Sequence, residues 1–143
     1  MMKKNEFFPK YHKAVVIALG DNLEKTKPRV ASVLLQELLA KISLPVKNNN
    51  EFARAFEEFL EDLGFAEKVS VNINNEILDI KVEGCSICEG NELLRNEGKN
   101  TFCPIIPTGL RAISKVLKKK ATLLDPEKDD RVGYCKLLYS LLE

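Results

Sequence analysis

Val69-Ser70-Val71-Asn72-Ile73-Asn74-Asn75-Glu76-Ile77-Leu78-Asp79-Ile80-Lys81-Val82 is the stretch that decides the fold. Apolar and polar residues alternate through it with period two, the pattern of a strand with one buried face, and the alternation resumes beyond a pair of asparagines. Asparagine tolerates the positive φ of a two-residue hairpin loop, so Asn74-Asn75 is expected as that loop. Val71 then stands opposite Leu78 and Val69 opposite Ile80, all on one face of the ribbon. A hairpin of this kind predicts an antiparallel sheet.

Upstream of it the period is helical. Residues 10–20 form a short helix candidate ended by Gly20 and Asp21-Asn22. A second should start at Pro28, because proline suits a first turn, and Val30, Leu34, Leu38 and Ile42 then recur every fourth residue. Pro45 and Asn48-Asn49-Asn50 close that unit. With Asn50 as N-cap, a third helix carries Phe52, Phe56, Phe59, Leu60 and Leu63 on one face and Glu57, Glu58, Glu61 and Asp62 on a solvated one, and stops at Gly64.

Downstream, Cys85-Ser86-Ile87-Cys88 is followed by a short piece, 91–96, of one or two helical turns, and then by Cys103-Pro104. From Pro107 or Thr108 the positions Leu110, Ile113 and Leu117 predict an amphipathic helix finishing in Lys118-Lys119-Lys120, a favourable charge for a helix C-terminus. Residues 121–124 and 132–142 read as a second hairpin around the charged loop 125–130. The expectation is an α+β chain, one domain over 1–143. Its N-terminal helices (1–64) pack on a twisted antiparallel sheet (65–143), with one helix between two hairpins.

At 143 residues the chain can bury about 68–70% of its unfolded surface. Its 45% hydrophobic and 30% charged content excludes disorder and fibrous repeats. Twenty-two basic against twenty-one acidic residues leave +1, so no overall field draws nucleic acid or an anionic membrane. The apolar stretch 30–42 is broken by Ser32, Gln36, Glu37 and Lys41, too short for a span, and Asn5-Glu6-Phe7-Phe8-Pro9 interrupts any signal-peptide core. A cytoplasmic chain with no membrane or nucleic-acid partner is expected.

The four cysteines are the anomaly, and in a reducing compartment disulfides are their weakest explanation. Cys85-x2-Cys88 lets two sulfurs reach one metal, with Gly84 and Gly90 allowing the backbone to bend round it. Cys103 precedes a helix whose N–H groups could stabilise a thiolate, and Cys135 lies on the last strand. If that strand neighbours the one ending at Val82, four thiolates can converge at one end of the sheet. Zinc suits tetrahedral thiolates; an iron–sulfur cluster takes the same set. Equally, Cys135 shares a face with Leu137, Tyr139 and Leu141, where cysteine is commonly core filler. A redox C-x-x-C would want a strand leading in, a helix starting at its first cysteine and a parallel βαβ setting. The sole histidine, His12, makes a Ser-His or Cys-His nucleophile improbable and reads as a surface or interface residue.

From Lys81 onward the sequence resembles the 4-vinyl reductase (hydrocarbon-binding) domain family, related to TRAPP trafficking subunits and haem-NO-binding domains. The resemblance rests on Val82-Glu83-Gly84-Cys85-Ser86-Ile87-Cys88, on Cys103-Pro104 leading to Thr108-Gly109-Leu110, and on Gly133-Tyr134-Cys135. It implies helices enclosing an apolar cavity against an antiparallel sheet, often in a homodimer, with metal-binding cysteines near the last strands. Cys103 and Cys135 fit that role, and Cys85 and Cys88 would complete a four-thiolate set. The sequence departs from regulators of this family in having no ATPase or DNA-binding segment. The expectation is a small-molecule binding or sensing domain acting by binding, not turnover. An apolar or aromatic ligand would lie under the last helix against Phe102, Leu110, Ile113 and Tyr134, beside a cysteine-bound zinc. The alternatives are an iron–sulfur redox protein or reductase-like enzyme using the same cysteines, and a dimeric interaction subunit with no ligand that pairs through the 30–42 face.

Overall fold

A computed structural model describes residues 6–124 and 133–142, and the backbone alone of 127–128. Among these residues the chain is α+β. The helices are α1 (Phe7–Leu19), α2 (Leu23–Leu39), α3 (Asn49–Leu63), α4 (Ser86–Asn96) and α5 (Ile105–Ala112), the last continued by a π-helical turn at Ile113–Leu117. The strands are β1 (Lys68–Asn74), β2 (Ile77–Glu83), β3 (Lys120–Leu123), β4 (Glu127–Lys128) and β5 (Cys135–Leu142). They form one antiparallel sheet in the order β1-β2-β5-β3, with β4 also pairing β5. No helix among the described residues is long and apolar enough to cross a membrane.

The hairpin forms with a loop one residue later than expected. Asn75 and Glu76 both adopt positive φ (49° and 66°), so Val71 faces Ile80 and Val69 faces Val82. Moving a two-residue loop by one position shifts the pairing by two and leaves every side chain on its expected face. That face packs Val69, Val71, Leu78, Ile80 and Val82 with Leu137, Tyr139 and Leu141 of β5 and with Phe52, Phe56, Phe59 and Leu60 of α3. Burial at about 1.5–3 kcal/mol for each large side chain makes this the principal source of stability.

Several expectations are corrected. Asn48, not Asn50, caps α3, its side chain accepting from Glu51 N at 2.9 Å while the Glu51 carboxylate accepts from Lys47 N. Pro28 lies inside α2, which starts at Leu23, a residue anchored in a second apolar cluster with Val16, Leu94 and Phe102. Only α3 of the N-terminal helices lies on the sheet; α1 packs on α4 and α2 on α5. Two helices, not one, separate the hairpins. The lysines at 118–120 do not finish a helix: Lys118 takes a left-handed conformation (φ 59°) and Lys120 begins β3. In the last hairpin, β3 pairs β5 over residues 120–123 and 139–142, whereas most of the loop 125–130 and Val132 lie outside the described residues.

Glu57 leaves the solvated face assigned to it. Its carboxylate accepts from Val71 N at 2.9 Å, and Arg54, which is ion-paired with it, donates to Val71 O. The outward main-chain groups of edge strand β1 at Val71 are thereby satisfied by α3.

Candidate functional site

The site forms where α4, the 101–103 segment, α5 and β5 meet. Because β2 pairs β5 with Val82 opposite Cys135, the chain leaving β2 enters α4 beside the start of β5. Cys85 N donates to Gly133 O at 2.8 Å, and Ser86 N to Phe65 O at 2.8 Å. α4 begins within the cysteine pair and is far longer than the one or two turns expected, running to Asn96. Its N-cap is a sulfur: Cys85 Sγ accepts from Cys88 N at 3.3 Å. Gly90 is not a hinge round the pair but a helical residue under α1, where a Cβ would lie 2.8 Å from the His12 ring and 2.9 Å from Pro9 O.

Cys103 occupies the entrance of the other helix. Ile106 N donates to the Cys103 carbonyl at 3.2 Å, and burial, outweighing the lowering effect of the Ile105 and Ile106 N–H groups, pushes the Cys103 thiol up to about 11. Cys85 is held well above the ordinary thiol range first by the Cys88 side chain and then by burial, while the Cys88 N–H on its sulfur acts in the opposite direction. Cys88 Sγ and Cys135 Sγ stand 3.6 Å apart. All four cysteines are thiols.

Cys88, Cys103 and Cys135 line one cleft of about 480 Å³, whereas Cys85, 2% exposed, lies in the core. The cleft walls are Phe102, Ile106, Pro107, Leu110 and Leu137, with Lys27, Arg95, Asn91 and Thr101 as its polar residues among the described residues. Lys27 Nζ sits 5.8 Å from the centre of the Phe102 ring. Of the expected ligand residues, Phe102 and Leu110 are on this cleft. Ile113 is fully buried in the main core, and Tyr134 is half-buried just before β5.

No protein-family model matches the sequence, and no curated protein matches it at a significant level.

Two positioning residues were missed in the sequence. Asn91, 5% exposed, accepts from Phe102 N at 3.1 Å and donates to Phe102 O at 3.2 Å, clamping the segment that carries Cys103. His12 bonds the same Oδ1 through Nε2 at 2.9 Å; since that oxygen only accepts, the ring carries its proton on Nε2. The histidine is thus a structural brace between α1 and α4. A polar residue on the face of α4 shared with Gly90 and Leu94 was the available sign, since buried amides must be bonded. The second is Tyr139, whose hydroxyl donates to Ile106 O (3.1 Å) and Ile105 O (3.3 Å), tying β5 to the first turn of α5.

The donor set suits zinc or an iron–sulfur cluster in kind, and a sulfur pair at 3.6 Å is close to the edge of a tetrahedron with roughly 2.3 Å metal–sulfur bonds. The arrangement is open: among the described residues no three His, Cys, Asp or Glu side chains stand ready to hold a metal. Binding would have to draw the sulfurs together.

Proposed function

We propose that this chain is a small-molecule binding or sensing domain of the 4-vinyl reductase kind. Its cysteines hold a structural zinc, and an apolar or aromatic ligand occupies the adjoining cleft. The observation that carries the reading is that three cysteines from three separate segments of the chain line one apolar-walled cleft. Cys88 and Cys135 would supply one edge of the metal site, with Cys85 behind and Cys103 closing from α5. Zinc there would cross-link α4, α5 and β5. The Cys85 and Cys103 thiols are raised above the ordinary range, so metal binding there would displace protons.

The walls supply affinity by burial, while Lys27 and Arg95 are each paired with a carboxylate of their own helix, Glu24 and Glu92. The 30–42 face gives less support to the interaction-subunit reading: Ala31 and Leu38 are buried and Leu34, Leu35, Leu39 and Ile42 pack on the core, leaving Val33 as its large exposed apolar residue. Homodimerisation enters the proposal through the resemblance alone.

The test is anaerobic purification with elemental analysis and thiol titration. One zinc per chain with protected thiols is expected. Visible absorbance that bleaches on reduction would replace zinc by an iron–sulfur cluster, and metal-free protein with four reactive thiols would end the metal reading. For the cleft, the fluorescent aromatic sulfonate anilinonaphthalene sulfonate should bind and Leu110→Arg should abolish that binding.

A further inference from the structure

We propose that Cys88 and Cys135 are an oxidation site that closes to a reversible disulfide when the protein meets a hydroperoxide. The sulfurs are 3.6 Å apart and belong to α4 and β5, positions separated by 47 residues. A disulfide requires about 2.05 Å, so the two sulfurs must approach by roughly 1.5 Å to make the bond. Both residues line the open cleft, which admits the oxidant, while Cys85 is buried behind them with its sulfur taking the Cys88 N–H. The site differs from a C-x-x-C couple, because its partner comes from the sheet.

Cys88, in the first turn of α4 and on the cleft, is assigned as the attacking residue. Its sulfur takes the distal peroxide oxygen; the O–O bond breaks, an alcohol or water leaves with a proton, and Cys88 becomes a sulfenic acid. Cys135 then attacks that sulfur and expels water. Two thiols and one hydroperoxide give one disulfide, one alcohol and one water: the sulfur pair is oxidised by two electrons and the peroxide is reduced. A small dithiol reverses the step by exchange. The product pins the start of α4 to the start of β5 and removes two of the four sulfurs a metal would use.

The experiment is hydrogen peroxide treatment of the metal-free chain, alkylation, and non-reducing peptide mapping. A Cys88–Cys135 cross-link is expected, lost on dithiothreitol and unchanged in Cys103→Ser. Cys135→Ser should stop at a dimedone-reactive sulfenic acid on Cys88. A dominant Cys85–Cys88 link, an undiminished cross-link yield in Cys135→Ser, or four unmodified thiols in the wild type would each overturn the proposal. A parallel zinc-loaded sample separates the two readings: failure of the chain to take up zinc ends the metal proposal alone, whereas zinc uptake followed by peroxide that releases no zinc and forms no cross-link ends this one.

Discussion

Asn91→Ala removes more than its size suggests. The side chain makes three bonds, to His12 Nε2, Phe102 N and Phe102 O, at 2.9, 3.1 and 3.2 Å. A typical bond contributes about 1 kcal/mol net, and a buried group left without a partner costs about 1–3 kcal/mol. Phe102 is 9% exposed, so its main-chain groups regain little water, and a total loss of about 3–4 kcal/mol follows. That is a large part of a typical 5–15 kcal/mol stability. With a urea slope of about 2 kcal/mol/M the midpoint should fall by about 1.5–2 M. His12→Ala, which removes one bond, should lose about 1 kcal/mol. The clamp also fixes the approach to Cys103, so Asn91→Ala should speed the reaction of Cys103 with an aromatic disulfide reagent in native buffer, measured with the other three cysteines changed to serine. A midpoint shift no larger than that of His12→Ala, with Cys103 reactivity unchanged, would refute the reasoning.

Other consequences are open to direct test. Gly109→Ala should destabilise by about 2–3 kcal/mol despite a better helix former, because its Cβ would lie 2.5 Å from Tyr139 Oη; combined with Tyr139→Phe the loss should be less than the sum, read by urea unfolding. Because burial raises the Cys103 thiol to about 11, and Cys85 is raised too, zinc affinity should climb with pH across the neutral range, and titration calorimetry in buffers of different ionisation enthalpy should show proton release. Gly90→Ala should loosen α1 from α4, seen as faster amide exchange in α1 while the sheet stays protected. Glu57→Ala with Arg54→Ala should leave secondary structure unchanged and increase self-association in light scattering.

The hairpin and the helical N-terminal half are legible because each follows from a period, and period survives small errors of register; the adjacency of β2 and β5 enters the sequence reading only as a condition, which the structure meets. Val82 opposite Cys135 is a consequence of that adjacency. What was not legible depends on single atoms. Cys85 caps α4 through its sulfur, and cysteine is not among the residues that announce a helix start, so the sequence pattern shows only the short helical piece 91–96 and not the first turn of α4. Gly90 carried the same misreading, since a glycine demanded by a neighbouring helix and one demanded by a turn look alike in sequence. Asn91 and His12 are 79 residues apart, and nothing local links them. The hairpin loop was off by one because Glu76 accepts a left-handed conformation that composition alone assigns to asparagine.

The pair on Val71 sets a limit on how far the sheet can grow. A strand edge with open donors and acceptors is a template that copies itself onto any extended segment, including that of an identical molecule. Here the outward groups of Val71 are occupied by a guanidinium that imitates a missing strand's N–H and a carboxylate that imitates its C=O. The stop is made of side chains, not of proline or a bulge. Protection of this edge at Val71 is therefore encoded on a helix and can be lost without any change to the strand it protects.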